Sequence, residues 1–198
     1  MERKTMEDEA RILIGGLMSD PKVSELTYRI REFDYCTFRH SLNVAYITAQ
    51  ACMSMELSEE LLNQITLGGL LHDVGKTCIS ADIIKKGGCL NPDEYAEIKK
   101  HPQYGFDILK SYGFSDIVCD IALYHHEKKD GSGYPKGFIE TKIPHHAKIV
   151  AVIDAYDAMT SERSYKQSYN GQFTLDSLSS MGGYSSYIID VVGAVSAR

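Results

Sequence analysis

The chain has 198 residues, a net charge of −6, and 43% hydrophobic, 24% charged and 10% aromatic residues. That composition excludes a mainly disordered chain, and the charge disfavours a long nucleic acid held on a basic face. The apolar run from Leu61 to Leu71 falls well short of the roughly 20 residues a membrane span requires, so no membrane association is expected.

In chain order, the pattern is that of helices. Ala10 to Met18 is an apolar-rich turn after an acidic start, closed by Ser19-Asp20-Pro21. Lys22 to Phe33 carries Val23, Leu26, Ile30 and Phe33 at helical spacing, and Tyr35 to Met55 places Phe38, Leu42, Ala45 and Ala49 on one stripe. Ser58 is a cap residue for a helix whose apolar run extends from Leu61 to Leu71, with breaks at Gly75 and Gly87-Gly88. Asn91-Pro92-Asp93-Glu94 joins a cap, a first-turn proline and a Glu three residues on, the marks of a helix start. Helices are expected from Pro102 to Tyr112, Ser115 to about Glu127 and Pro144 to about Glu162. Asp130 to Gly137 is a turn-rich loop, and Tyr187, Ile188, Val191, Val192 and Val195 form a last amphipathic stripe. With no sustained strand alternation, the fold class is all-α: a single helical-bundle domain over residues 34–198, with residues 1–33 as an N-terminal helical extension packing on it.

Five cysteines, Cys36, Cys52, Cys78, Cys89 and Cys119, form no Cys-x-x-Cys pair, so neither a disulfide framework nor a zinc ribbon is indicated. Buried thiols in a reducing compartment are expected, and the charged start Met1-Glu-Arg-Lys has no secretory pattern; the expected localisation is cytoplasmic. The seven histidines, by contrast, all lie between His40 and His146, several beside Asp or another His.

His72-Asp73 continues an apolar helix, and a carboxylate projecting from a buried element needs a cation or hydrogen bonds. Lys76 falls one turn after His72 and shares its face. Taken alone, the pair reads as a core histidine beside a capping Asp. His125-His126-Glu127 reads alone as a solvated helix terminus, and His101 before Pro102 as a turn residue. Adjacent imidazoles can serve one site only at a helix end or beside a cleft, and the glycine-rich loop after His126 makes a helix end expected there. Asp154 and Asp157 sit one turn apart in the apolar stretch Ala147 to Met159; Asp157 is expected to bond backbone or a helix end. His145 and His146 follow Pro144 and are expected to face solvent. His40, His72, Asp73, His101, His125, His126 and Asp154 make seven imidazole and carboxylate groups without thiolate. Such a set suits iron, manganese or another borderline divalent metal, and seven groups imply two metals sharing an Asp.

Read together, His40, Leu71-His72-Asp73-Val74-Gly75-Lys76, His101-Pro102 with Gly105, His125-His126-Glu127, Asp130 to Pro135 and Asp154-Ala155-Tyr156-Asp157 resemble the HD-GYP domain. This is a branch of the HD phosphohydrolase superfamily, and the likeness runs from about Asp34 to Asn170. The resemblance implies a metal-dependent phosphodiesterase that hydrolyses cyclic di-GMP to linear pGpG, GMP or both through a metal-bridged hydroxide. It implies that His40, His72 and Asp154 hold one metal, that His101, His125 and His126 hold the second, and that Asp73 bridges. Lys76 is implied to contact the scissile phosphate, Arg163 and Lys166 to grip the dinucleotide, and Gly133, Tyr134 and Pro135 to form the loop beside the pocket. Iron is the first expectation for the metals and manganese the second. Cys36 stands where members with a third metal often carry Glu, so two metals are expected rather than three. Arg163-Ser164-Tyr165 replaces a frequent Arg-Pro-Tyr. The implied partners are a cyclic dinucleotide, a sensor or diguanylate-cyclase protein, and a second copy of the chain in a homodimer. The alternatives are a cyclic-dinucleotide-binding signalling module with little turnover, or an HD phosphohydrolase for another nucleotide.

Overall fold

The computed structural model describes residues 5–161 and 169–197. Among these the chain forms eleven α-helices and two 3-10 turns; the only pairing of extended backbone is one antiparallel bridge between Asp130 and Ile139. No helix among the described residues is long and apolar enough to cross a membrane.

Most helix starts follow from local chemistry. Helix α1 (Met6–Met18) begins four residues before Ala10 because Thr5 Oγ1 accepts from Asp8 N and Glu7, Asp8 and Glu9 fill the first turn. Asp20 caps α2 (Pro21–Phe33), Asp34 caps α3 (Tyr35–Ser54) and Ser58 caps α4 (Glu59–Leu71). The short α5 (Ala81–Ile84) precedes α6 (Pro92–Ile98), which opens on a complete capping box between Asn91 and Glu94. Helix α7 (His101–Ser111) includes His101 itself, with Pro102 tolerated in the first turn. Ser115 caps α8 (Asp116–Tyr124), which ends three residues before Glu127, and α9 (His145–Thr160) ends two before Glu162. Helix α10 (Gly171–Met181) has no counterpart in the sequence pattern, since it buries only Thr174 and Leu178 and so carries little apolar periodicity. In α11 (Ser186–Ser196) the inward stripe is Ile188, Ile189, Val192 and Val195, while Tyr187 is exposed.

Helices α3, α4 and α8 hold the molecule together, because each contributes to both buried apolar clusters. Val44, Ile65 and Ile121 pack with α9, α10 and α11. Ala45, Leu70 and Ala122 pack with α1, α2 and α7. Each fully buried Leu or Ile contributes about 1.5–3 kcal/mol of stability. Leu26 and Ile30 of α2 lie in the same cluster as Leu70 and Leu71 of α4, so α2 shares the bundle's core. The expected burial of thiols holds for Cys52 and Cys119 but not for Cys36, Cys78 and Cys89, which are exposed. Cys36 falls in the first turn of α3, before the helix enters the core, and Cys78 and Cys89 in the irregular stretch between α4 and α6.

Candidate metal centre

Helices α4 and α8 end, and α3 and α7 begin, around one buried polar cluster. His72 is the C-cap of α4 rather than a residue within the helix, and Asp73 follows with φ −96° before the 3-10 turn Val74–Cys78. The break corrects the expectation of a continuous helix, and it lets neighbouring His72 and Asp73 face the same centre. Gly75 permits it: a Cβ there would lie 2.0 Å from the His101 carbonyl oxygen, so only glycine lets the turn press against α7. His125 is likewise the C-cap of α8, which puts His125 and His126 at a helix end, as their adjacency requires. His40 comes from α3, His101 from the first position of α7, and Asp154 from the buried face of α9.

All seven sequence-selected groups converge. Ligand atoms of His101, His125 and His126 lie within 4.8 Å of one another, as do those of His40, His72 and Asp73, and those of His72, His125 and Asp154. The two Asp73 oxygens divide between two groups of histidines. Oδ1 is 3.3 Å from His101 Nε2 and 4.0 Å from His125 Nε2, while Oδ2 is 3.4 Å from His72 Nε2 and 3.9 Å from His40 Nε2. Lys76 Nζ donates to Oδ2 at 2.6 Å. Asp154 Oδ1 is 2.9 Å from His40 Nε2, and its Oδ2 is 3.6 Å from His126 Nδ1.

Backbone carbonyls fix three of the rings. His72, His101 and His125 donate from Nδ1 to the carbonyls of Gly69, Ile98 and Ala122 at 2.8, 2.8 and 2.9 Å. A carbonyl only accepts, so each Nδ1 carries the proton and each neutral Nε2 presents a lone pair to the centre. The Nε2 atoms of His101 and His125 face each other at 3.2 Å. Two lone pairs so placed repel unless a cation lies between or beside them. His72 Nε2 and Asp73 Oδ1 are buried without a hydrogen-bond partner. Orphaned acceptors of this kind cost a few kcal/mol each, and a divalent cation removes that cost. This donor set, imidazole and carboxylate around unsatisfied acceptors, fits a metal centre.

The charge states follow from the surroundings. Burial pushes His101 down to about 3 and His126 to about 4, and holds His125 well below the usual histidine range. Burial also opposes charge on His40, but its hydrogen bonds to Asp154 and Asp157 outweigh it and raise the ring to about 9. Asp73, despite burial, is held well below the usual carboxylate range by Lys76 and the adjoining imidazoles. Asp154 is held low as well, because the hydrogen bond from His40 and the nearby imidazoles outweigh burial.

Two residues matter here that were not among the expected site residues. Asp157 was expected to bond backbone or a helix end; instead its Oδ2 lies 2.6 Å from His40 Nδ1, and its Oδ1 accepts from Ser161 Oγ at 2.9 Å. A second acid one turn after Asp154 was the available signal. Glu127 is buried and accepts from Lys136 N at 2.7 Å and Phe138 N at 2.9 Å, tying down the loop that carries Gly133, Tyr134 and Pro135. A Cβ on Gly133 would sit 2.4–2.5 Å from backbone atoms of His126, Glu127 and Lys128, so this position too admits only glycine. The Tyr134 ring then lies 4.7 Å from the His126 ring, and Pro135 follows it across the same loop. Arg163 and Lys166 lie outside the described residues.

His145 is exposed as expected, whereas His146 is not: it is half-buried, with Nε2 3.6 Å from Asp120 Oδ2, because α8 packs against the start of α9. Cys36 is exposed in the first turn of α3. It lines a cavity of about 340 Å³ that also reaches His40 and Lys76.

A family model described as "HD domain" matches residues 18–187. The chain is 35% identical over 171 residues to a cyclic di-GMP phosphodiesterase of Pseudomonas aeruginosa, covering 86% of this chain and 41% of that protein. It is 41% identical over 149 residues to a cyclic di-GMP phosphodiesterase of Thermotoga maritima, covering 73% of this chain and 40% of that one. The chain thus spans well under half the length of either relative. Its fold is similar to that of an HDG"Y"P protein from Bdellovibrio bacteriovorus, with TM-score 0.70, 18% identity, and coverage of 98% of this chain and 74% of that one.

Proposed function

The chain belongs to the HD domain family, and from that premise we propose that it is a metal-dependent phosphodiesterase acting on a cyclic dinucleotide, cyclic di-GMP first. The observation that carries this reading is the division of the two Asp73 oxygens between two sets of histidine Nε2 atoms around unsatisfied buried acceptors. His40, His72 and Asp154 would hold one metal and His101, His125 and His126 the other, with Asp73 bridging. Iron is the first candidate and manganese the second, since the donors are nitrogen and oxygen without thiolate. Two metals are proposed rather than three.

Divalent metals held by these residues would supply a nucleophilic hydroxide near neutral pH and Lewis-acid stabilisation at phosphorus. The chain's own groups do the rest. His72, His101 and His125 stay in one tautomer because backbone carbonyls hold their Nδ1 protons. Lys76, partly exposed beside Asp73, is placed to meet a non-bridging phosphate oxygen and offset the charge that grows there. The loop fixed by Glu127 sets Gly133, Tyr134 and Pro135 next to His126, where they bound the substrate on that side. Arg163 and Lys166 complete the proposed grip on the dinucleotide. In the net reaction water adds to phosphorus, the ribose 3′ oxygen leaves with a proton, and the product is linear pGpG; a second hydrolysis gives GMP.

The deciding experiment measures hydrolysis of cyclic di-GMP beside cyclic GMP-AMP, together with metal content of anaerobically prepared protein. About two equivalents of metal per chain and faster cleavage of cyclic di-GMP are expected. Binding without turnover would make the chain a signalling module. A single equivalent, or zinc alone, would overturn the two-metal assignment.

A further inference from the structure

The cavity that runs from His40 and Lys76 to the surface is lined by charged groups nearly all of which are already engaged. Lys76 is paired with Asp73, Lys86 with Glu94, and His40 with Asp154 and Asp157. Asp34 Oδ2 accepts from the Thr37 amide and hydroxyl at the cap of α3. Arg39 is different: it lines the same cavity, its side chain is exposed, and it makes no hydrogen bond or ion pair among the described residues. In a chain of net charge −6, carboxylates to pair with are plentiful, yet among the described residues none lies within pairing distance of this guanidinium. Ile83, Ile84, Leu90 and Ile98 give the lining an apolar part.

We propose that this cavity is the subsite for the nucleotide unit that is not being cleaved, with Arg39 as the contact for its phosphate. The inference rests on the phosphodiesterase reading above and deepens it. A cyclic dinucleotide carries two phosphodiesters. The metal centre and Lys76 account for one of them, and Arg39 is placed to meet the other from the cavity side, in addition to the grip proposed for Arg163 and Lys166. A guanidinium fits that role, since its planar fork matches two phosphate oxygens at once. The aliphatic lining suits the face of a base, while Asn43 in the same cavity offers an amide to a base edge. The volume of about 340 Å³ lies at the low end of the roughly 300–1,000 Å³ typical of ligand pockets, room for one nucleotide unit and not for both.

The test compares wild type, Arg39→Ala, Arg39→Lys and a distant control, Arg11→Ala, in the full chain. Each is assayed for hydrolysis of cyclic di-GMP and of bis(p-nitrophenyl) phosphate, a diester with no second phosphate, and for cyclic di-GMP binding by calorimetry after metal removal. Arg39→Ala is expected to raise KM and Kd for cyclic di-GMP about tenfold with kcat within about twofold, and to change the small diester's KM far less. Arg39→Lys is expected between the two, because the charge remains and the fork is lost. An unchanged KM and Kd for cyclic di-GMP, or equal losses on both substrates, would overturn the subsite. A wild type that binds cyclic di-GMP without cleaving it would remove the phosphodiesterase reading and leave the Kd values to decide the subsite. Neither binding nor cleavage would remove both.

Discussion

On either side of Asp73, His40 and the pair His101 and His125 use one residue type in opposite electrostatic states. His101 and His125 donate to backbone carbonyls, lie among other imidazoles, and are pushed far down by burial, His101 to about 3. His40, about as deeply buried, has a carboxylate on each ring nitrogen and is raised to about 9. The difference teaches that burial alone does not set a ligand's readiness; the partner on the far nitrogen does. A carbonyl leaves the ring neutral with its lone pair available, while a carboxylate makes the ring a stronger base that must shed a proton before it ligates.

The most severe way to break this contrast is to remove what both sides share. Asp73→Ala should abolish hydrolysis of cyclic di-GMP and reduce metal content from about two equivalents to one or none, read by elemental analysis and product chromatography. Surviving activity would show that the carboxylate does not bridge.

A second variant acts on one side only. Asp157→Asn removes the charge behind His40, so metal affinity at that side should fall about 10–100-fold while the His101, His125 and His126 side keeps its ion. Titration with a chromophoric chelator would separate the two. Equal weakening of both sites would mean that Asp157 only stabilises the fold.

Glu127→Gln probes the opposite side through its loop. Removing the charge and turning one of two acceptor oxygens into a donor should cost about 1.5–3 kcal/mol, seen as a lower Tm, with metal stoichiometry retained. Loss of metal along with the loop would tie His126 to Glu127 more closely than their separate contacts indicate.

The smallest effect is a proton count. With a metal-free value of about 9, His40 carries a proton at neutral pH that metal must displace. His101 and His126, at about 3 and 4, have none to lose. Metal uptake at about pH 7.5 should therefore release close to one proton per chain from His40, beyond any lost by bound water, and this share falls to about half near pH 9 and vanishes above it. The sign is fixed: the proton competes with metal, so affinity on the His40 side weakens as pH falls below about 9. Calorimetry in buffers of different ionisation enthalpy gives the number, and a release of zero would refute the contrast.

Much of this was legible in the chain because it is written locally. The caps Asp20, Asp34, Ser58, Asn91 and Ser115 act within three or four residues of themselves, and their helices start where those residues stand. Helix α10 escaped because its face buries only two residues, leaving no period to read. His72-Asp73 was misplaced inside a helix because the close approach of Gly75 to α7, which ends it, involves atoms from a distant segment. His146 and Cys36 were likewise decided by what packs nearby: Asp120 beside one, an open cavity beside the other.

The sequence by itself determined the helical class, the donor types and their order along the chain, since residue chemistry and short-range spacing need no third dimension. Tertiary structure alone decided which oxygen of Asp73 faces which histidines, which ring nitrogen keeps its proton, and that Arg39 meets no carboxylate among the described residues. The physical reason is range. His40 and Asp157 are 117 residues apart, yet their 2.6 Å contact helps set the ring's charge, and short-range electrostatics of that kind exists only once the helices have packed.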